Sequence, residues 1–201
     1  MGSLHRMAVV CGLTALLVGQ AHAEAWQVAK DEDGIQIALS DVAGSKYKAY
    51  RGITVINASI SKLRALQEDV AGACAWIHEC QSQKLLKNEG DKAWTYTRFS
   101  TPWPVTPRDS VLLITTKEGA DGSITRTLQE QPSYVPEEKG YVRVAQVEGF
   151  WKMVPKGADR TEVTYQVHTE PGGSVPSMIA NKFVVDAPFN TLKALRARAE
   201  K

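Results

Sequence analysis

Cysteine is scarce in this 201-residue chain, at three residues, and aromatic residues make up only 7%. A disulfide-built miniature fold is excluded, and none is needed, because a domain of this size buries roughly 70% of its unfolded surface. Charge of one sign is lacking too. Lys and Arg number 24 against 22 Asp and Glu, a formal +2. That balance offers no basic surplus to displace phosphate counterions and argues against a nucleic-acid partner. Past residue 23 no apolar run is long enough to span a bilayer. No internal repeat, linker or charge block divides the chain. G-x-S-x-G, HExxH, CxxC and P-loop patterns are absent, so the corresponding catalytic and cofactor signatures are missing. What is present is ordinary for a globular chain: 43% apolar and 23% charged residues.

Residues 1–23 read as an export signal. Arg6 supplies the positive start, and no acidic residue precedes Glu24. Met7 to Gly19 is an apolar run of 13 residues interrupted only by Thr14, too short for the ~20 residues of a membrane-spanning helix. Ala21-His22-Ala23 is a small-x-small cleavage site, which predicts a mature chain from Glu24. Cys11 lies within the run behind Ala8-Val9-Val10, a poor match to a lipoprotein signal. Two cysteines then remain, Cys74 and Cys80, in a compartment where disulfides form. In a continuous helix their separation would be ~9 Å, beyond the ~7 Å limit for a bridge. A turn between them allows one. Cys74, His78 and Cys80 lack the fourth ligand that structural zinc wants, so no metal is expected.

Trp26–Lys30 reads as a short helix or a lead-in, followed by a turn at Asp31-Glu32-Asp33-Gly34. Ile35, Ile37 and Leu39 alternate with polar neighbours, as a half-buried strand does. Tyr47–Ile56 predicts the next strand. Asn57 or Ser59 caps a helix carrying Ile60, Leu63, Leu66 and Val70, which Ala71-Gly72 ends. Asn57-Ala58-Ser59 also fits a glycosylation sequon, for which the cap is the simpler reading. Strands are predicted over 81–87, 92–99, 110–117, 124–131, 141–154 and 161–169, and one long helix from Pro176 to about Ala199. An antiparallel sheet with one apolar face must be covered, and only the last helix is long enough to lie across it.

In this order the motifs resemble the START domain family, the lipid-transfer domains related to steroidogenic acute regulatory protein, in a bacterial exported form. They are Gly34-Ile35, Tyr50-Arg51-Gly52, Trp76, PWPVTPRDSV from Pro102 to Val111, and VRV at Val142–Val144 leading to Gly149-Phe150-Trp151. TEVTYQVHTEPGGSVP from Thr161 to Pro176 and NKFVVDAPFNTLKALR from Asn181 to Arg196 follow. The resemblance covers essentially all of residues 24–201. It implies an α+β helix-grip fold: a curved antiparallel sheet wrapped around the C-terminal helix and enclosing an apolar cavity for a lipid or similar molecule.

On that helix Lys182, Asp186, Asn190 and Lys193 form a polar stripe, and Ala180, Val184, Ala187, Thr191 and Leu195 the opposite one. Ala180, Ala187 and Thr191 are small where a tight core would carry Leu or Phe; either bulky sheet residues fill the space or, as the resemblance implies, volume is left for an apolar guest. Val163, Tyr165, Val167 and Thr169 share the face that the family pattern turns inward. Arg143, Ala145, Val147, Gly149 and Trp151 share a face of the preceding strand. Tyr165 and Arg143 are candidate polar anchors, although a structural ion pair explains a buried Arg143 equally well. Trp103, between Pro102 and Pro104, is a candidate gate, and both it and Trp151 have packing as the plainer role. The cavity-lining set is thus Trp103, Arg143, Trp151, Val163, Tyr165, Val167, Ala180, Val184, Ala187 and Thr191.

The family's sterol-binding members carry a buried acid–Arg pair, the Arg six residues beyond the Arg of the PRD motif. That position here is Ile114, and Thr95–Thr97 holds no carboxylate. Pro188 should kink the helix, either as a hinge or as a curve fitted to the sheet. Lys193, Arg196, Arg198 and Lys201 suit the helix dipole or an anionic headgroup. The expectation is a monomeric periplasmic (or secreted) carrier with no cofactor, a lipid or hydrophobic small molecule as partner, and transient contact with a membrane surface. A cyclase- or hydrolase-like enzyme on the same fold is the alternative, and a structural envelope protein the third reading.

Overall fold

Alternating burial carries most of the chain into one sheet. The computed structural model describes residues 25–201; the export-signal expectation and Cys11 lie outside the described residues. Ten strands form: β1 (Gln27–Glu32), β2 (Ile35–Ser40), β3 (Ala49–Ile56), β4 (Cys80–Glu89), β5 (Lys92–Phe99), β6 (Arg108–Glu118), β7 (Ile124–Glu130), β8 (Val142–Arg143), β9 (Gln146–Pro155) and β10 (Thr161–Glu170). Helix α1 is Ile60–Glu68 and α2 is Ser177–Ala199. The spatial order is β1-β2-β3-β10-β9-β7-β6-β5-β4, antiparallel throughout, with β8 added parallel to β6.

Trp26–Lys30 departs from expectation: the segment runs into strand β1 and pairs with β2. The cause is the Asp33-Gly34 turn, where both residues take positive φ (53° and 69°). Two such residues match the twist of a hairpin and fold the chain back on itself. Helix α1 opens at Ser59, whose hydroxyl accepts from the Lys62 N–H at 3.3 Å. It stops at Glu68, before Ala71-Gly72, because the Asp69 carboxylate accepts from the Gly72 N–H and holds a turn there. After a 3-10 turn at Ala73–Ala75, Glu79 adopts φ 56° and reverses the chain. Cys74 and Cys80 therefore lie 4.9 Å apart at Cα and form a disulfide.

The expected strand over 141–154 is two. Val142–Arg143 pairs with the start of β6, and the chain steps away before β9. Arg143 does not share a face with Trp151. It donates to Asp109 through Nε and Nη2, both at 2.9 Å, and to the backbone carbonyls of Pro132, Val135 and Pro136. The Tyr96 hydroxyl lies 2.9 Å from the same carboxylate. Burial raises the Asp109 pKa, but the bonds from Arg143 and Tyr96 outweigh it and hold the group below its usual range. This buried pair fastens the long 131–141 connection to the sheet.

Helix α2 seats only part of its length. Phe189, Leu192, Leu195 and Ala199 join Ile35, Ile37, Met153 and Val163 in the core. Leu192 presses on bare backbone: a Cβ on Gly52 would stand 2.5 Å from its Cδ1 and 3.0 Å from Ile37 Cδ1. Each fully buried Leu contributes roughly 1.5–3 kcal/mol. The basic C-terminus is tied down as well. Lys193 Nζ donates to the Asp33 carboxylate at 2.7 Å and Arg196 Nη1 to the Asp33 carbonyl at 2.6 Å. The helix runs on through Pro188.

Two outcomes follow. Replacing Arg143 with Met strands the buried Asp109 charge, so urea unfolding should show a loss of about 3–5 kcal/mol; the Asp109→Asn, Arg143→Met pair should recover part of it. A loss under 1 kcal/mol for the single variant contradicts the fastening role. Glu130 is buried, and that burial raises its pKa to about 7 despite bonds from Ser110 Oγ and the Val111 N–H. The folded state thus holds the proton more tightly than the unfolded chain, and stability falls as pH rises from about 4.5 to about 7. Glu130→Gln should lack that fall; the same pH dependence in both proteins refutes the assignment.

Candidate functional site

The inner face of the sheet and the N-terminal half of α2 do not meet. Between them lies a chamber of about 530 Å³, within the ~300–1,000 Å³ of small-molecule pockets. Its helix wall is Ile179, Ala180, Phe183, Val184, Ala187 and Thr191. The short side chains of Ala180 and Ala187 leave the gap, whereas Leu192 and Leu195 on the next turns close it. The expected helix stripe therefore divides in two: Ala180, Val184, Ala187 and Thr191 face the chamber, and Leu195 lies in the core.

The sheet wall comes from β3, β4, β5, β6, β7, β9 and β10, mostly through alternate residues. Trp151, Tyr165 and Val167 are on it. Tyr165 stacks on Trp151 with ring centroids 3.7 Å apart and meets the edge of Tyr50 at 5.2 Å. Trp76 stands edge-on to Trp151 at 6.0 Å. These rings make one continuous aromatic side. Burial pushes both the Tyr50 and Tyr165 phenols above their usual range, Tyr50 further because of its neighbour. Both are uncharged at neutral pH.

Three expected lining residues lie elsewhere. Arg143 is held outside by Asp109, as the packing of a buried cation requires. Val163 is fully buried in the core, one residue pair too close to the seated end of α2. Trp103 is 92% exposed and points away, while its loop neighbours Pro102 and Val105 do line the chamber. His168 faces outward to Ser45, with Nε2 3.2 Å from Oγ. Ile114, Thr95 and Thr97 line the chamber, so no acid–Arg pair occupies those positions.

Several wall residues are absent from the lining set expected from the sequence: Tyr50, Gln67, Trp76, Thr95, Phe183 and Arg126. For Arg126 the signal existed. Ile124, Arg126, Leu128 and Glu130 are all buried at period two along β7, so a cation interrupts an apolar face. Gln67 and Trp76 offer no such cue, because they reach the chamber from the last turn of α1 and from the 3-10 turn that follows it.

The sequence matches the START domain family over residues 15–201. It is 57% identical over all 201 residues to an uncharacterized protein of Pseudomonas aeruginosa, with both chains covered in full. A STAR-related lipid transfer protein from Xanthomonas axonopodis has a similar structure, with TM-score 0.83, 38% identity, and 88% of this chain and 99% of that one covered. Human StAR-related lipid transfer protein 5 shares the fold with TM-score 0.79 at 16% identity, covering 87% of this chain and 86% of that one. With the sheet wrapped around α2 and the chamber between them, the chain belongs to the START domain family.

Proposed function

We propose that this protein binds a lipid or other hydrophobic molecule in the chamber and carries it between membrane surfaces in an exported compartment, without converting it chemically. The observation that carries this reading is the chamber itself, about 530 Å³, whose wall is mainly apolar and aromatic surface with polar groups among it and is not filled by its own side chains. Apolar hollows of this kind take apolar guests. Its length suits a chain. On β6 the lining runs from Arg108 to Thr116, eight residue-to-residue steps of ~3.3 Å, or roughly 26 Å. The lipid-transfer name of the Xanthomonas relative supports the reading.

Export is supported by the export-signal pattern of residues 1–23 and by the Cys74–Cys80 disulfide, which suits an oxidising compartment. A carrier rather than a catalyst is supported by the outer-face trio of Ser45, His168 and Glu170. Ser45 Oγ and Glu170 Oε1 both approach the same ring nitrogen, at 3.2 and 3.5 Å, whereas a nucleophile–base–carboxylate relay uses the two nitrogens separately. Membrane contact is supported at one end of the chamber. Trp103 and Met178 are exposed there, at 92% and 81%, beside the lining residues Pro102 and Ile179. Exposed apolar groups next to a cavity mark a docking surface.

Two measurements test this. Ala187→Phe should fill the chamber and reduce binding of the neutral probe N-phenyl-1-naphthylamine at least fivefold, with thermal stability kept; unchanged binding removes the chamber as the site. Trp103→Ala should slow lipid transfer between vesicles severalfold without lowering the melting temperature, since its side chain packs against little. Equal transfer rates reject the docking role.

A further inference from the structure

Three arginines are buried among the described residues, and they differ in how their charge is met. Arg143 is held by Asp109 and three carbonyls. Arg108, also on the chamber wall, leaves its Nε unpartnered but gives Nη1 to the Thr106 carbonyl and Nη2 to the Gly172 carbonyl, so both ends of its guanidinium are met. Arg126, only 6% exposed, makes a single long contact, from Nη1 to Gln67 Oε1 at 3.3 Å. Its Nε has no partner, and it takes part in no ion pair among the described residues. Glu68, the carboxylate whose field reaches it, is already bonded to Arg64 at 2.8 Å.

A buried cation without an acceptor is costly, and native proteins rarely keep one unless something supplies the counter-charge. The unpartnered buried groups nearest it are donors. Gln67 Nε2 and Trp76 Nε1 are buried, unpartnered and, like Arg126, on the chamber wall. Each is an N–H donor and nothing else. Burial works against the guanidinium's charge, as it would for any cation awaiting an anion. The position is also specific. Arg126 pairs in register with Trp151 on one side and Thr116 on the other, at the end of the chamber remote from Trp103 and the 101–107 loop.

We propose that Arg126, with Gln67, is an internal anion seat: the bound molecule carries a carboxylate or phosphate monoester at one end of a hydrocarbon, with that end held by the guanidinium and the tail running along the aromatic wall toward the 101–107 loop. This rests on the chamber being the binding site. A charge-assisted bond of this kind is among the strong ones, and its loss should cost roughly tenfold or more in affinity.

The test is displacement of N-phenyl-1-naphthylamine from the full chain by dodecanoate, dodecyl phosphate, dodecanol and inorganic phosphate. The wild type should bind dodecanoate or dodecyl phosphate at least tenfold more tightly than dodecanol, and inorganic phosphate should not compete. Arg126→Met should lose the preference for the charged chains over dodecanol, and Arg126→Lys should keep part of it. Melting temperatures of both variants establish that they fold; replacing an unpaired buried cation by Met should leave stability equal or higher. Gln67→Leu, away from the sheet, should weaken the same preference if Arg126→Met fails to fold. Wild-type binding that ignores head charge, a preference that survives Arg126→Met, or competition by inorganic phosphate alone overturns the seat and leaves the carrier reading standing. Failure of the wild type to bind probe and all three chain compounds overturns the carrier reading, and the seat with it.

Discussion

Leu192 closes on the bare backbone of Gly52, and the placement of α2 depends on that contact. With no side chain at Gly52, the C-terminal half of the helix sinks onto β2 and β3, where Phe189 and Leu195 complete the seal. The hydrogen bonds from Lys193 and Arg196 to Asp33 fix the same end from outside. A rigid rod fixed at one end over a curving sheet must stand off from it at the other. The residues on the free half are small, so the separation stays open. The chamber is thus a consequence of where the large residues stop along one helix face.

The polar groups divide into two kinds on the same grounds. Asp109, Arg143, Tyr96 and Glu138 lie outside the chamber and satisfy one another, fastening the 131–141 connection. Arg126, Gln67 and Trp76 line the chamber and keep unpartnered donors. The first group explains itself within the protein. The second makes chemical sense with an acceptor among them. The chamber therefore has an aromatic side on β3, β9 and β10 and unpartnered donors near the end of α1 and the turn that follows it.

Much of this was legible in the residues. Alternation located most strands to within a residue or two, and Ser59 was readable as the α1 cap because a short hydroxyl there has one obvious use. The small stripe of α2 points to the hollow only together with the family resemblance, because bulky sheet residues opposite it could equally fill the space. The misreadings have physical causes. Trp26–Lys30 is short and lacks a clean period, so only the Asp33-Gly34 turn makes it a strand. The continuous apolar alternation over 141–154 concealed a break, since a two-residue strand on β6 and the start of β9 look alike in sequence. That false continuity makes Arg143 a candidate chamber anchor, whereas the equally weighted ion pair is what the fold uses; its partner Asp109 lies 34 positions away. Arg126 was visible as a cation at an inward position of β7, but its lack of a partner is a three-dimensional fact that no sequence pattern carries.

The central claim is that the hollow beside α2 holds a hydrophobic guest. Native mass spectrometry of the protein purified from its own host, without detergent, tests it most directly. The account predicts a complex of one chain and one lipid-sized molecule, lost in the Ala187→Phe variant. A spectrum showing the bare chain alone, or the same adduct in that variant, contradicts it.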